Sequence, residues 1–224
     1  MGEKVTLSGV PETMLQTIYA RAKETKTRGA ISDKKAVEIV EKLNYDFSLA
    51  DKDKAMHDGV IARTIVLDRL AEKYLAKLKN AVVVNIACGL DTRCYRMKGF
   101  SHWYNLDLPE TIEVRSRILT PTEKITQIPM SAMDDWGNGI AEKGVPALVI
   151  IEGLTMYLSE GDVKQIFAVI EKRFEYAVVL VETMNPMVAK RIKEKSIEGS
   201  KAKFTWGVKN GGELDKIISG FRCV

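Results

Sequence analysis

The chain has 224 residues, 46% of them apolar and 29% charged, with a net charge of +4 and three cysteines. That length suits one domain able to bury its own core, and the composition is that of an ordinary globule. The charge is spread with no dense Lys/Arg block and no interleaved aromatic stripe, which argues against a nucleic-acid partner.

An odd cysteine count with no C-x-x-C pair and no histidine cluster points away from a disulfide framework and from a metal site. No apolar run approaches the roughly 18 residues of a membrane span, and the N-terminus lacks a signal-peptide core, so a reducing cytoplasm is the simplest compartment. Met1-Gly2-Glu3-Lys4-Val5-Thr6 matches a myristoylation pattern, but one acyl chain without a polybasic neighbour anchors only marginally.

In chain order, Pro11 opens a helical pattern to about Lys26 that carries Tyr19 and Arg21. Ser32 reads as the N-cap of a helix from Asp33 to Leu43, and a third helical stretch runs from Lys54 to Lys79. These helices precede the first strand and so form a cap, residues 1–79. The remainder, 80–224, alternates: strands at Ala81–Ile86, His102–Leu106, Lys124–Ile128, Ala147–Ile151 and Ala177–Val181. Between them lie helices at Pro109–Leu119, Gly137–Lys143 and Ser159–Phe174, the last opened by a capping box of Ser159 and Asp162. Such alternation predicts an α/β fold with a parallel sheet covered on both faces. Helices at about Pro186–Ser196 and Gly211–Ile218 follow, and Phe221–Val224 reads as the opening of a sixth strand.

The chain is organised around Ala81–Arg93. Its β-branched, uncharged run is that of a strand buried on both faces, and it stops at the small residues Ala87, Cys88 and Gly89, over which a ligand can approach the backbone closely. Only one of the three glycines of a dinucleotide fingerprint is present, and Asp91 would repel a phosphate while tolerating a cation. A phosphate-free cationic nucleoside such as S-adenosyl-L-methionine fits this pattern, and a nicotinamide dehydrogenase does not.

Four stretches in order, Val84–Arg93, Tyr104–Glu110, Ser131–Trp136 and Ile151–Leu158, resemble the leucine carboxyl methyltransferase family, which includes polyketide O-methyltransferases of the tetracenomycin type. Two positions depart from the family pattern: Ala87 stands where glycine is usual, and Asn105 where an acid is usual. The resemblance implies a Rossmann-like class I methyltransferase sheet with an N-terminal helical cap. The strand hairpin that normally finishes such sheets is missing here, so the unfinished edge would be completed by a partner, possible in a homo-oligomer, or the sequence is truncated.

Spacing places Asp107 where an acid meets a ribose, 18 residues after Gly89; a helix N-cap ahead of Pro109 is the alternative. Glu152 ends an apolar strand, where a buried carboxylate needs a cation, either a cofactor ammonium or a structural salt bridge. By resemblance the cofactor-binding set is Arg63 on the methionine carboxylate, Ala87 and Gly89 at the turn, Asp107 with Leu108 at the ribose, Met133 and Asp134 at the adenine, and Glu152 on the ammonium. Tyr19, Arg21 and Tyr157 are the substrate-binding residues.

S-adenosyl-L-methionine would leave as S-adenosyl-L-homocysteine. With two histidines, His57 and His102, neither placed at the site, the absence of a histidine base agrees with methylation of a carboxylate, which is already ionised at neutral pH. The acceptor is then a small molecule or a peptide C-terminus. A phenol O-methyltransferase and a non-catalytic S-adenosyl-L-methionine-binding protein are the alternatives.

Overall fold

The computed structural model describes residues 13–191 and 204–224. The myristoylation pattern at residues 1–6, the helix opening at Pro11 and the far end of the helix expected to reach Ser196 lie outside them. Four helices come first: α1 (Thr13–Lys26), α2 (Lys34–Lys42), the short α3 (Ser48–Lys52) and α4 (Lys54–Lys77). There follow β1 (Val82–Ile86), α5 (Arg93–Arg96), β2 (His102–Asp107), α6 (Pro109–Ile118), β3 (Ile125–Pro129), β4 (Ala147–Ile151), α7 (Glu160–Arg173), β5 (Ala177–Val181), α8 (Pro186–Arg191) and α9 (Gly211–Ile217).

The five strands form one parallel sheet in the order β3-β2-β1-β4-β5. Strand order reverses between β1 and β4, and ligands of open α/β sheets bind in the crevice beyond the strand ends at such a point. β1 and β4 are buried along their whole length, as the continuous apolar runs require. On one face, Val83, Leu148 and Ile150 pack against Leu67, Ala71 and Leu75 of α4. On the other, Val84, Val149 and Ile151 share a cluster with Ile166 and Ile170 of α7. α4 is therefore a layer of the sheet sandwich as well as part of the cap. α1 and α2 pack on Leu90, Val114 and Leu119, above the turn that follows β1.

Local chemistry sets several ends. Ser159 and Asp162 form the reciprocal capping box of α7, satisfying two first-turn donors. The cap of α2 is Asp33, not Ser32: its side chain accepts from the Ala36 amide. The helix expected at Gly137–Lys143 is a single 3-10 turn, Trp136–Gly139. Two glycines weaken any helix there, and the buried Trp136 indole is tied to the Ala132 carbonyl at 3.1 Å. Residues 221–224 form no sixth strand. Phe221 instead packs edge-on against Phe167, 5.3 Å between ring centres, and the Cys223 amide donates to Asp215 at 2.7 Å. No described helix is long and apolar enough to cross a membrane.

Candidate active site

A cavity of about 500 Å³ opens over the carboxyl ends of the strands, within the usual size of small-molecule sites. Its floor is the turn after β1. Ala87 adopts φ 53° and Gly89 φ 47°, the left-handed region that glycine enters freely and other residues at a cost. The preference for glycine at the position of Ala87 thus has a backbone cause. At Gly89 a side chain is also sterically opposed, since a Cβ would lie 3.0 Å from that of Met14.

Both hydrogen-bonding groups of Gly89 are held. Its amide donates to Asp107 Oδ2 at 2.7 Å, and its carbonyl accepts from Nη1 of the fully buried Arg115 at 2.8 Å. Asp107 also accepts from the Leu108 amide at 2.8 Å. It is not a side-chain cap of α6, whose N-cap residue is Leu108. Burial pushes the Asp107 carboxyl above its ordinary value, against the pull of these two amides. Asn105 is wholly buried and faces the core: its Oδ1 accepts from the Trp103 indole at 3.0 Å.

Glu152, just past β4, meets cations supplied by the protein. Arg63 Nε of α4 donates to it at 2.9 Å and Arg93 Nη1 at 2.5 Å. Burial pushes Glu152 up, but Arg93 and Arg63 outweigh it and hold the carboxyl below its ordinary value. Arg93, 2% exposed, also pairs with Asp68 at 2.6 Å and with Asp91 at 2.9 Å. Asp91 is driven the same way: burial raises it, and Arg93, Arg96 and Arg21 bring it well below the carboxylate range. One buried ionic network thus joins α4, the turn after β1 and the end of β4.

Of the residues singled out in the sequence, Arg21, Arg63, Ala87, Gly89, Asp107, Leu108, Met133, Glu152 and Tyr157 all line this cavity. Tyr19 and Asp134 do not belong to that lining. Tyr19 donates to Asp51 at 2.7 Å and stacks on Phe47, and its phenol is pushed up to about 12 by burial and by Asp51. Asp134 is exposed and accepts from the Ser131 amide at 3.1 Å. Arg21 reaches the wall, but it is 4% exposed and spends Nε on Asp33 at 3.1 Å and Nη2 on the Leu90 carbonyl at 2.9 Å. Neither histidine lines the cavity: His57 pairs with Glu24 at 3.0 Å and His102 with Thr126 at 2.8 Å.

Two residues were missed. Arg93 closes the Val84–Arg93 stretch, but its contact with Glu152 spans 59 positions and leaves no local signal. Glu182 follows the apolar run of β5 just as Glu152 follows that of β4, so the same reading would have found it. It lines the cavity beside Met184 and accepts from the Gly153 amide at 2.7 Å.

Comparisons agree with this architecture. The leucine carboxyl methyltransferase profile matches residues 14–171. The chain is 34% identical over 230 residues to the tetracenomycin polyketide synthesis O-methyltransferase TcmP of Streptomyces glaucescens, spanning 99% of this chain and 84% of that protein. It is 26% identical to the S-adenosyl-L-methionine-dependent methyltransferase dpfgK of Gibberella zeae, over 98% and 82% of the two chains. Among solved structures, a provisionally assigned methyltransferase from Thermobifida fusca superposes with a TM-score of 0.55 at 13% identity, covering 88% of this chain and 78% of that one, and shares the fold. From the matched profile, the full-length relative and the parallel sheet with its helical cap, we conclude that the chain belongs to the leucine carboxyl methyltransferase family.

Proposed function

We propose that this S-adenosyl-L-methionine-dependent O-methyltransferase esterifies a carboxyl group on an apolar small molecule. The acceptor class is carried by the match to the leucine carboxyl methyltransferase profile, and the cavity wall, which does hold carboxylates, includes among the described residues no histidine and no lysine. A carboxylate is ionised at neutral pH and needs neither, whereas the walls formed by Met14, Met56, Val60, Met156 and Phe204 favour an apolar body.

The residues present fit a cationic nucleoside. Acids stand at the ends of β2 and β4, and the Cys88, Gly89 and Asp91 amides, which a phosphate would need, already donate within the protein. Asp107 would accept from the ribose hydroxyls, Met133 would pack on the adenine, and Arg63 and Glu152 would hold the methionine carboxylate and ammonium. Bound there, the cofactor supplies an electrophilic methyl group. The protein's task is to hold the acceptor oxygen in line with it at about 3 to 3.5 Å and to exclude water.

Labelled methyl transfer to a panel of aryl and alkyl carboxylic acids tests this reading. A base-labile labelled ester is the expected product. Label found only in base-stable products, or no transfer despite S-adenosyl-L-homocysteine binding, refutes carboxyl methylation.

A further inference from the structure

The proposed cofactor contacts occupy four adjacent strand ends: Met133 past β3, Asp107 at β2, Gly89 past β1 and Glu152 past β4. The next strand is β5, and just past its end Glu182 and Met184 line the same cavity. On the reading that the site is a methyltransferase, β5 therefore lies beyond the methionine end, on the side from which an acceptor reaches the methyl group. The surrounding wall there is Met156, Met184, Tyr157 and Phe204, the last two with ring centres 5.4 Å apart. Sulfur and aromatic surfaces of this kind suit a flat aromatic acceptor.

Glu182 is fixed in place. Its Oε2 accepts from the Gly153 amide at 2.7 Å, and its Oε1 lies 3.5 Å from Arg63 Nη1. The Thr155 hydroxyl ties its carbonyl at 2.7 Å. Among the described residues, the charged groups that act on it from the neighbouring elements are Arg63 of α4 and Glu152 past β4. Glu152 is held by two arginines among the described residues, whereas Glu182 has only a share of one of these, Arg63.

We propose that Glu182 is a general base that opens this cavity to a second class of acceptor, the phenolic hydroxyl. The acceptor O–H proton passes to a Glu182 carboxylate oxygen. The freed oxygen forms a bond to the methyl carbon, and the carbon–sulfur bond breaks with its electron pair staying on sulfur. The products are an aryl methyl ether, S-adenosyl-L-homocysteine and protonated Glu182, which returns its proton to solvent. Burial, reinforced by Glu152, raises the Glu182 carboxyl above its ordinary value despite Arg63, which brings a carboxylate base closer to the neutral range where such catalysis is efficient.

The test compares wild type with Glu182→Gln on matched phenol and carboxylic acid acceptors. Wild type should methylate both, with phenol turnover falling on the acid side as Glu182 takes up a proton. In E182Q the ratio of phenol to carboxylate turnover should fall by about 100-fold or more, the low end of general-base contributions, and the acid limb should vanish.

A purely structural role at the Gly153 turn would instead depress both acceptors together and leave the ratio unchanged, overturning the proposal. A titration without turnover gives an independent readout. With S-adenosyl-L-homocysteine bound, a nitrophenol should ionise at higher pH in the wild-type site, beside the Glu182 carboxylate, than in E182Q; equal values overturn the proposal. Carboxylate turnover without phenol turnover in wild type removes the Glu182 proposal alone. Phenol turnover without esters removes the carboxyl reading alone.

Discussion

Replacing Arg93 by methionine would leave three carboxylates without their shared cation. Arg93 is 2% exposed, and its partners Asp68, Asp91 and Glu152 are 20%, 10% and 12% exposed, so water can replace little of what is lost. Removing one member of a buried ionic set costs about 3–5 kcal/mol, a large part of the roughly 5–15 kcal/mol that holds a domain folded. For a chain of this size the melting temperature should drop by about 6–20 °C. The penalty depends on pH in a defined direction.

Asp91 and Glu152 have folded values below their unfolded ones. Their contribution is therefore complete above the ordinary carboxylate range and is lost as pH falls through the folded values. Urea denaturation of wild type and R93M should give the full difference at neutral pH and a shrinking one in acid. A difference at neutral pH under about 1 kcal/mol, the worth of an exposed pair, would refute the network as a stabilising feature, as would a penalty constant with pH.

Two further substitutions probe the floor of the cavity. Asp107→Asn should weaken S-adenosyl-L-homocysteine binding by about 10- to 100-fold, the value of hydrogen bonds to a charged group. Wild-type affinity should itself fall as pH drops through the raised Asp107 value, because protonation removes an acceptor; calorimetry that finds neither effect would move the ribose elsewhere. Ala87→Gly should be neutral or stabilising by up to about 1 kcal/mol in denaturant titrations, since relief of the left-handed alanine at φ 53° outweighs or matches the entropy of a new glycine.

The sequence disclosed those elements whose ends are written locally. β4 and β5 fall where their apolar runs begin and end, and α7 starts at its capping box. The turn after β1, with Asp107 and Glu152 around it, was legible because small residues and acids at strand ends have few other uses. Contacts across the chain were not. Asp33 and Ser32 are equally good caps by type, and what distinguishes Asp33 is its hold on Arg21 and on the Thr92 hydroxyl at 2.5 Å, 59 residues away. The apolar Phe221 resembles the start of a strand because periodicity cannot tell pairing with a sheet edge from packing on Phe167. The charge needed by Glu152 could be inferred, but its source in Arg93 and Arg63 is a property of the folded chain.

The backbone after β1 carries a further consequence for selectivity. The Cys88 N–H is given to the Leu106 carbonyl, that of Gly89 to Asp107, that of Asp91 to the Cys88 carbonyl and that of Arg93 to the Asp91 carboxylate. Loops that seize pyrophosphates do so by offering such N–H groups outward. Here those four are spent inward, two of them on carboxylates. Abundant cellular dinucleotides would therefore be turned away by the main chain itself, leaving the crevice to ligands that bring their own hydrogen-bond donors.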